Sequence, residues 1–250
     1  MRLYGKNSIL ERLKSAPQTI KAIYIKKGMN LETIATLARQ NDIPFNSLPE
    51  QKFSNFTQGI NCQGVVAEVE KFTYSFLEDF LLRDEKDGLL TIVFLDHITD
   101  PQNLGSIIRT LACFGDFGLV LPKDASVSVN ETVLKVACGA ESFLPVAQIA
   151  NLSVGLDMVK DKDYWVAAAV PEGGENLLTT KLAFPLAIVI GSEGKGVRRS
   201  LLNQVDLKLT LPMPGANISF NAAIATAIFS YEIFRQKNII NPFAFKDKIC

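Results

Sequence analysis

TIVFLDHITDPQNLGSIIRTLACFGDFGLVL, residues 91–121, places two short apolar runs on either side of a helical pattern. TIVFLD (91–96), apolar over residues 92–95, and FGLVL (117–121) read as strands covered by helices on both faces of a parallel sheet. The residues between them predict a helix near 103–114. The same alternation continues towards the C-terminus. YWVAAAV (164–170), LAIVI (186–190) and DLKLTL (206–211) are the further strands, with helices expected near 130–138, 152–161, 197–203 and 218–237. The chain from 91 to 250 is therefore expected to be an α/β domain with a mainly parallel sheet.

Upstream the rhythm differs. A helix near 6–14, a strand AIYI (22–25), a helix from Leu31 to Asn41, a strand at Ile43–Phe45 and a strand GVVAEV (64–69) form a small α/β unit over residues 1–71. KFTYSFLEDFLLRDEKDG (71–88) ends in a charged run with Gly88 and is read as a linker helix, with the boundary over 72–90.

Twenty-six basic residues balance twenty-six acidic ones, so no global field draws the chain to nucleic acid or to an anionic membrane. A local basic patch would still suffice for phosphate contacts. The four cysteines (Cys62, Cys113, Cys138, Cys250) form no C-x-x-C pair, and His97 is the single histidine. A structural zinc site needs four clustered N/S ligands, so no metal is expected. Scattered thiols, and an N-terminus MRLYGKNSIL without a signal-like apolar stretch, point to a reducing, cytoplasmic setting. No run of about 18 apolar residues occurs, so no membrane span is expected.

Three segments could carry chemistry. DPQNLGSIIRT (100–110) follows the strand 91–96, and ligands of open α/β sheets bind beyond the carboxyl ends of strands. Asp100-Pro101 starts a turn, and Asn103 is read as a cap of the helix. Arg109 lies nearly two helical turns on and is read as approaching the same face. A plain capped helix with a solvated arginine is the competing reading. IVIGSEGKGVRR (188–199) sets three glycines between a strand and a helix, which permits close backbone approach to a ligand. It is neither a Walker loop nor a dinucleotide fingerprint. Glu193 inside it would oppose phosphate and suits a hydroxyl, an amine or a cation better. In LPMPGANISFNAAIATAIFSYE (211–232) two prolines and Gly215 make a rigid loop, with Asn217 or Ser219 placed to cap a helix. That helix is apolar nearly all round and so belongs in a core or a subunit interface. Ser219 and Asn221 are polar groups at its start, hence caps or ligand contacts.

Together and in this order, these three segments resemble the SpoU/TrmH family of RNA ribose 2′-O-methyltransferases, over roughly residues 91–237. LYGKNSILERL (3–13) and NCQGVVAEV (61–69) are similar to that family's L30e-like RNA-binding domain, the layout of its members that methylate a guanosine of bacterial 23S rRNA. The resemblance implies a sheet whose C-terminal segment is threaded into a deep trefoil knot, which base rates would not suggest. It implies a homodimer with the active site at the subunit interface, an RNA substrate, and S-adenosylmethionine as methyl donor without a metal.

Carried over, backbone groups at Gly191, Leu211 and Phe220, with Ile190 and Met213 as neighbours, hold the donor. Phe220 stands where leucine is usual. Arg109 matches the arginine proposed to help deprotonate the ribose hydroxyl, and Asn103, Glu193, Ser219 and Asn221 match its polar partners. The chemistry is coherent. A 2′-hydroxyl is a poor nucleophile and the donor is already activated, so the protein must supply positioning and help with one proton. Arginine is an awkward base, so Arg109 acts either as an assisted base or as an electrostatic anchor. Ribosomal RNA is the expected substrate. The alternatives are ribose methylation of tRNA and an inactive RNA-binding or ribosome-assembly protein, and the presence of all five polar residues favours activity.

Overall fold

The computed structural model describes residues 1–82, 90–215 and 218–240. The charged end of the expected linker (83–89), the candidate cap Asn217 and Cys250 lie outside the described residues.

The small unit comprises β1 (Arg2–Tyr4), α1 (Lys6–Ser15), β2 (Ile20–Lys26), α2 (Glu32–Gln40), β3 (Phe45–Leu48), α3 (Glu50–Thr57) and β4 (Val65–Val69). Its sheet has the order β1-β4-β2-β3, with β4 antiparallel to both neighbours and β2 parallel to β3. The strand expected at Ile43–Phe45 begins only at Phe45. The Ile43 N–H closes α2 on the Ala38 carbonyl (2.9 Å), and Pro44 has no N–H to give a ladder. Neither β1 nor α3 was expected from the sequence.

The larger unit runs through α4 (Leu77–Leu81), β5 (Thr91–Asp96), α5 (Pro101–Phe114), β6 (Phe117–Pro122), α6 (Glu131–Ala137), β7 (Val146–Ile149), α7 (Leu152–Lys160), β8 (Trp165–Ala169), β9 (Glu175–Asn176), β10 (Leu186–Gly191), α8 (Arg199–Leu202), β11 (Leu207–Thr210) and α9 (Ala222–Ile240). Its seven strands are parallel, in the order β7-β6-β5-β10-β8-β11-β9. Alternate side chains serve opposite faces, as a pleated strand requires. Val93, Leu95, Ile188 and Ile190 pack with α5 and α9, while Ile92, Phe94 and Val189 pack with α4 and α7.

β10 lies between β5 and β8, and β11 lies beyond β8. After β11 the chain therefore turns back past the loop that follows β10, and α9 ends packed on α5. This doubling back fits the trefoil-knotted sheet that the family resemblance implies.

Two helix starts differ from expectation. α5 begins at Pro101, because Asp100 is the cap: its Oδ1 accepts the Gln102 N–H at 2.9 Å. Proline suits the first helical position, where no N–H is needed. α9 begins at Ala222 rather than 218, and its cap is Asn221, whose Oδ1 accepts the N–H groups of Ala223 (2.9 Å) and Ile224 (3.3 Å).

The two units share one continuous core, in which Leu3 and Ile9 join Leu134, Ala137 and Leu144. Polar contacts fix the seam. Arg12 Nη2 pairs with Glu141 Oε1 at 2.8 Å, the glutamate side chain being fully buried. Glu131 accepts the Arg2 N–H (2.7 Å) and the Tyr4 hydroxyl (3.2 Å). Burial first, and then the Glu131 carboxylate, hold the Tyr4 phenol above its ordinary pKa, so it remains a proton donor. The start of the expected linker is pinned as well: the Ser75 N–H bonds the Val146 carbonyl (2.9 Å), and the Tyr74 hydroxyl accepts the Val129 N–H (2.8 Å).

Candidate active site

At the carboxyl ends of β8 and β10 the chain encloses a cavity of about 390 Å³, in the range of small-molecule sites. It is formed by the end of β8 (169–171), the glycine loop after β10 (190–197), Leu202 of α8, Leu211 and Met213 after β11, and residues 219–229 leading into the first turns of α9. Its wall is mainly apolar, from Ile190, Leu211, Met213, Phe220 and Phe229, and the loop adds residues 191–197. Gly191, Leu211 and Phe220, the residues expected to hold a ligand, all line it, as do Ile190 and Met213. The contributions of Ala169, Val170 and Pro171 were not foreseen, because they depend on strand order.

Gly191 has a different reason to be glycine from the expected approach of a ligand. A Cβ there would lie 2.1 Å from the Gly196 carbonyl carbon. The loop folds back on itself, with the Gly196 N–H on the Ser192 carbonyl at 2.8 Å and Gly196 at φ 62°.

The loop delivers Glu193 to a polar cluster drawn from all three sequence segments. Glu193 Oε1 accepts Asn103 Nδ2 at 2.9 Å and Asn221 Nδ2 at 2.7 Å, and Asn221 Nδ2 also reaches Asn103 Oδ1 at 2.9 Å. With Asp100 as the cap, Asn103 sits in the first turn of α5 and its amide is free for this contact. Glu193 thus lies between the N-termini of α5 and α9, where helix dipoles favour a carboxylate. Ser219 lines the cavity beside Phe220.

Arg109 is not brought into this cluster within the chain. Six residues make one and two-thirds turns, which leaves it about a third of a turn from the face that Asn103 occupies. The exposed side chain lies instead against α6, with Nη1 3.8 Å from Cys138 Sγ.

Asp96 was missed from the sequence. Fully buried at the end of β5 and paired in register with Gly191, it accepts the Arg198 N–H (2.9 Å) and Arg198 Nε (2.8 Å), and lies 2.8 Å from His97 Nδ1. An acid closing an all-apolar strand was the available signal, since a buried carboxylate needs partners. Among the described residues no group of three or more His, Cys, Asp or Glu is disposed to hold a metal, and no helix is long and apolar enough to cross a membrane.

Comparison with known proteins gives a consistent result. A sequence model of the SpoU rRNA Methylase family matches residues 90–231, and one described as RNA 2′-O ribose methyltransferase substrate binding matches residues 2–75. The chain is 32% identical over 244 residues to the 23S rRNA (guanosine-2′-O-)-methyltransferase RlmB of Pseudomonas putida, covering 95% of this chain and 97% of that protein. It is 36% identical over 238 residues to YacO of Bacillus subtilis, classed in the TrmH family of tRNA/rRNA methyltransferases, covering 94% and 95%. In fold it is similar to the SpoU methyltransferase AviRb of Streptomyces viridochromogenes, solved in complex with AdoMet, with a TM-score of 0.78, 20% identity and coverage of 95% and 90%.

Proposed function

Because the chain belongs to the SpoU rRNA methylase family and is an RNA 2′-O-methyltransferase that uses S-adenosylmethionine, we propose that its substrate is a guanosine ribose of 23S rRNA. The convergence of Asn103, Glu193 and Asn221 beside the cavity is the observation that carries the assignment of the site. The cavity suits the donor: the loop 190–196 offers backbone, and Leu211, Met213 and Phe220 offer an apolar wall for an adenine ring. Bound there, S-adenosylmethionine supplies a methyl group already activated on a sulfonium.

The chain's own residues do the rest. Gly191, Leu211 and Phe220 hold the donor through their backbone groups. Asn103, Asn221 and Glu193 form one hydrogen-bonded unit that fixes the mouth of the site, and Ser219 offers a hydroxyl to the incoming ribose. Glu193 Oε1 is already committed to two amides, which suits it to orienting groups rather than to removing a proton. Arg109 meets the RNA from its place on α5, either accepting the proton of the 2′-hydroxyl with assistance or holding a phosphate and the developing alkoxide.

A homodimer completes the reading. The solvent-facing side of α9 carries Ile224 (50% exposed) and Tyr231 (56% exposed), an apolar stripe suited to a second copy. The work of such an enzyme lies in the cytoplasm, with the ribosome.

The test is to incubate the protein with labelled donor and total RNA from cells lacking it, and to map the modified nucleotide. A single 2′-O-methylguanosine in 23S rRNA is expected. Label found only in tRNA would replace the proposed substrate with the one that the likeness to YacO leaves open. Light scattering should give a dimer at micromolar concentration, and a stable monomer would remove that part.

A further inference from the structure

A second cleft, of about 290 Å³, opens at the seam between the two units. One wall is Asn7 at the start of α1 with Asn61 and Gln63 ahead of β4, and the other is Lys135 and Cys138 at the end of α6. Cys138 is also the residue against which Arg109 lies. Arg109 does not line the cleft but stands next to its Cys138 wall.

Its chemistry is specific. Gln63 Oε1 is engaged by the Lys6 N–H at 3.1 Å, which leaves the NH₂ end of that amide to donate. Among the described residues, the Asn7 amide and the Lys135 ammonium have no hydrogen-bond or ion-pair partner. The nearby acid, Glu131, is occupied by the Arg2 N–H and the Tyr4 hydroxyl, so Lys135 gives the cleft a cationic side. Amide side chains offer a donor and an acceptor at one planar end, matching the edges of bases, and cations match phosphates. Unpaired nucleotides of RNA are the ones whose base edges are open to such contacts.

We propose that this cleft receives one unpaired nucleotide of the substrate RNA, its base edge on Asn7, Asn61 and Gln63 and its phosphate on Lys135. The proposal rests on the reading of the chain as an RNA methyltransferase. An RNA strand held there is gripped by both units at once, which orients it relative to α5 and so relative to the helix that runs back to the donor cavity.

The experiment measures methyl transfer from labelled S-adenosylmethionine to total RNA from cells lacking the protein, for wild type, the double variant Asn7→Ala/Gln63→Ala, and Lys135→Ala. Lys162→Ala, exposed on the opposite face of the sheet, is the charge-matched control. The cleft variants should raise the KM for RNA about tenfold, the factor of one lost base-edge or phosphate contact, with donor affinity by calorimetry within twofold of wild type. In a second measurement that needs no substitution, saturating RNA should slow alkylation of the Cys138 thiol several-fold. Unchanged KM values together with Cys138 alkylated equally fast with and without RNA would overturn the proposal. If wild type methylates RNA while both readouts are unmoved, the cleft alone falls. A wild-type protein that transfers no methyl group to RNA sinks the family reading and the cleft with it.

Discussion

Arg198 binds Asp96 twice, from its backbone N–H to Oδ2 at 2.9 Å and from Nε to Oδ1 at 2.8 Å. Since the Asp96 backbone is also the register partner of Gly191, one buried residue holds both ends of the 191–198 loop at the end of β5, by its strand pairing at Gly191 and by its carboxylate at Arg198. A loop that lines the cavity proposed for the donor is thereby held by a residue that does not line it. Arg198→Ala should weaken donor binding about tenfold, the scale of one hydrogen bond to a charged group. It also strips the fully buried Asp96 carboxylate of its guanidinium partner, so the melting temperature should fall as well. Asp96→Asn should have a similar effect on affinity, and the double variant should be no worse than the poorer single. Additive losses in calorimetry would mean that the two residues act separately.

Asn221 has two tasks, and substitutions can separate them. As the cap of α9 its Oδ1 takes two backbone N–H groups, while its Nδ2 reaches Glu193. Asn221→Ala should cost about 1 kcal/mol of stability, the usual value of a lost cap, and should also impair methyl transfer. Asn221→Asp keeps a capping oxygen but sets a carboxylate against Glu193. It should restore stability in urea unfolding while leaving activity low. Recovery of both would reduce Asn221 to a cap.

The parallel sheet was legible because each strand buried on both faces writes a continuous apolar run, and TIVFLD and LAIVI are fully or almost fully buried. The short edge strand VAQI at 146–149 was not, being too short to stand out from its loops. The polar cluster was legible through resemblance alone. Asn103, Glu193 and Asn221 are up to 118 residues apart, and no local rule places their amides on one carboxylate. The reading of Asn103 as a cap failed because Asp100-Pro101, a better cap followed by a better first residue, stands just ahead of it. Asp96 was obscured for a related reason: in sequence it is merely the polar end of a strand, and only the fold shows that it is buried.

The Arg12–Glu141 pair at the seam should behave as a buried ion pair that is incompletely bonded. Arg12 Nε and Glu141 Oε2 are both buried without a hydrogen-bond partner among the described residues. Glu141→Ala strands the guanidinium and should cost about 3 kcal/mol in urea unfolding. The paired replacement Arg12→Met/Glu141→Leu removes both charges and fills similar volume, so most of that loss should be recovered. A double variant as unstable as Glu141→Ala would show that the pair contributes more than it costs to bury.

The role proposed for Arg109 can be tested by how a substitution divides its effect between the donor side and the RNA side. It stands on the same helix as Asn103, yet its guanidinium lies at Cys138, outside the cluster around Glu193. Arg109→Ala should therefore leave donor affinity close to wild type. At saturating RNA it should lower methyl transfer by roughly a hundredfold, in the range of a lost general base or oxyanion donor. Arg109→Lys restores a charge but not the planar fork that touches a phosphate and a ribose oxygen together, so recovery should be partial. The split between constants assigns the role: a fall in kcat with KM for RNA unchanged places Arg109 in the transition state, whereas a raised KM with kcat restored at high RNA makes it a binding residue. An alanine variant within a few-fold of wild type in both would remove Arg109 from the mechanism, and the proton would have to leave through Glu193 or through solvent.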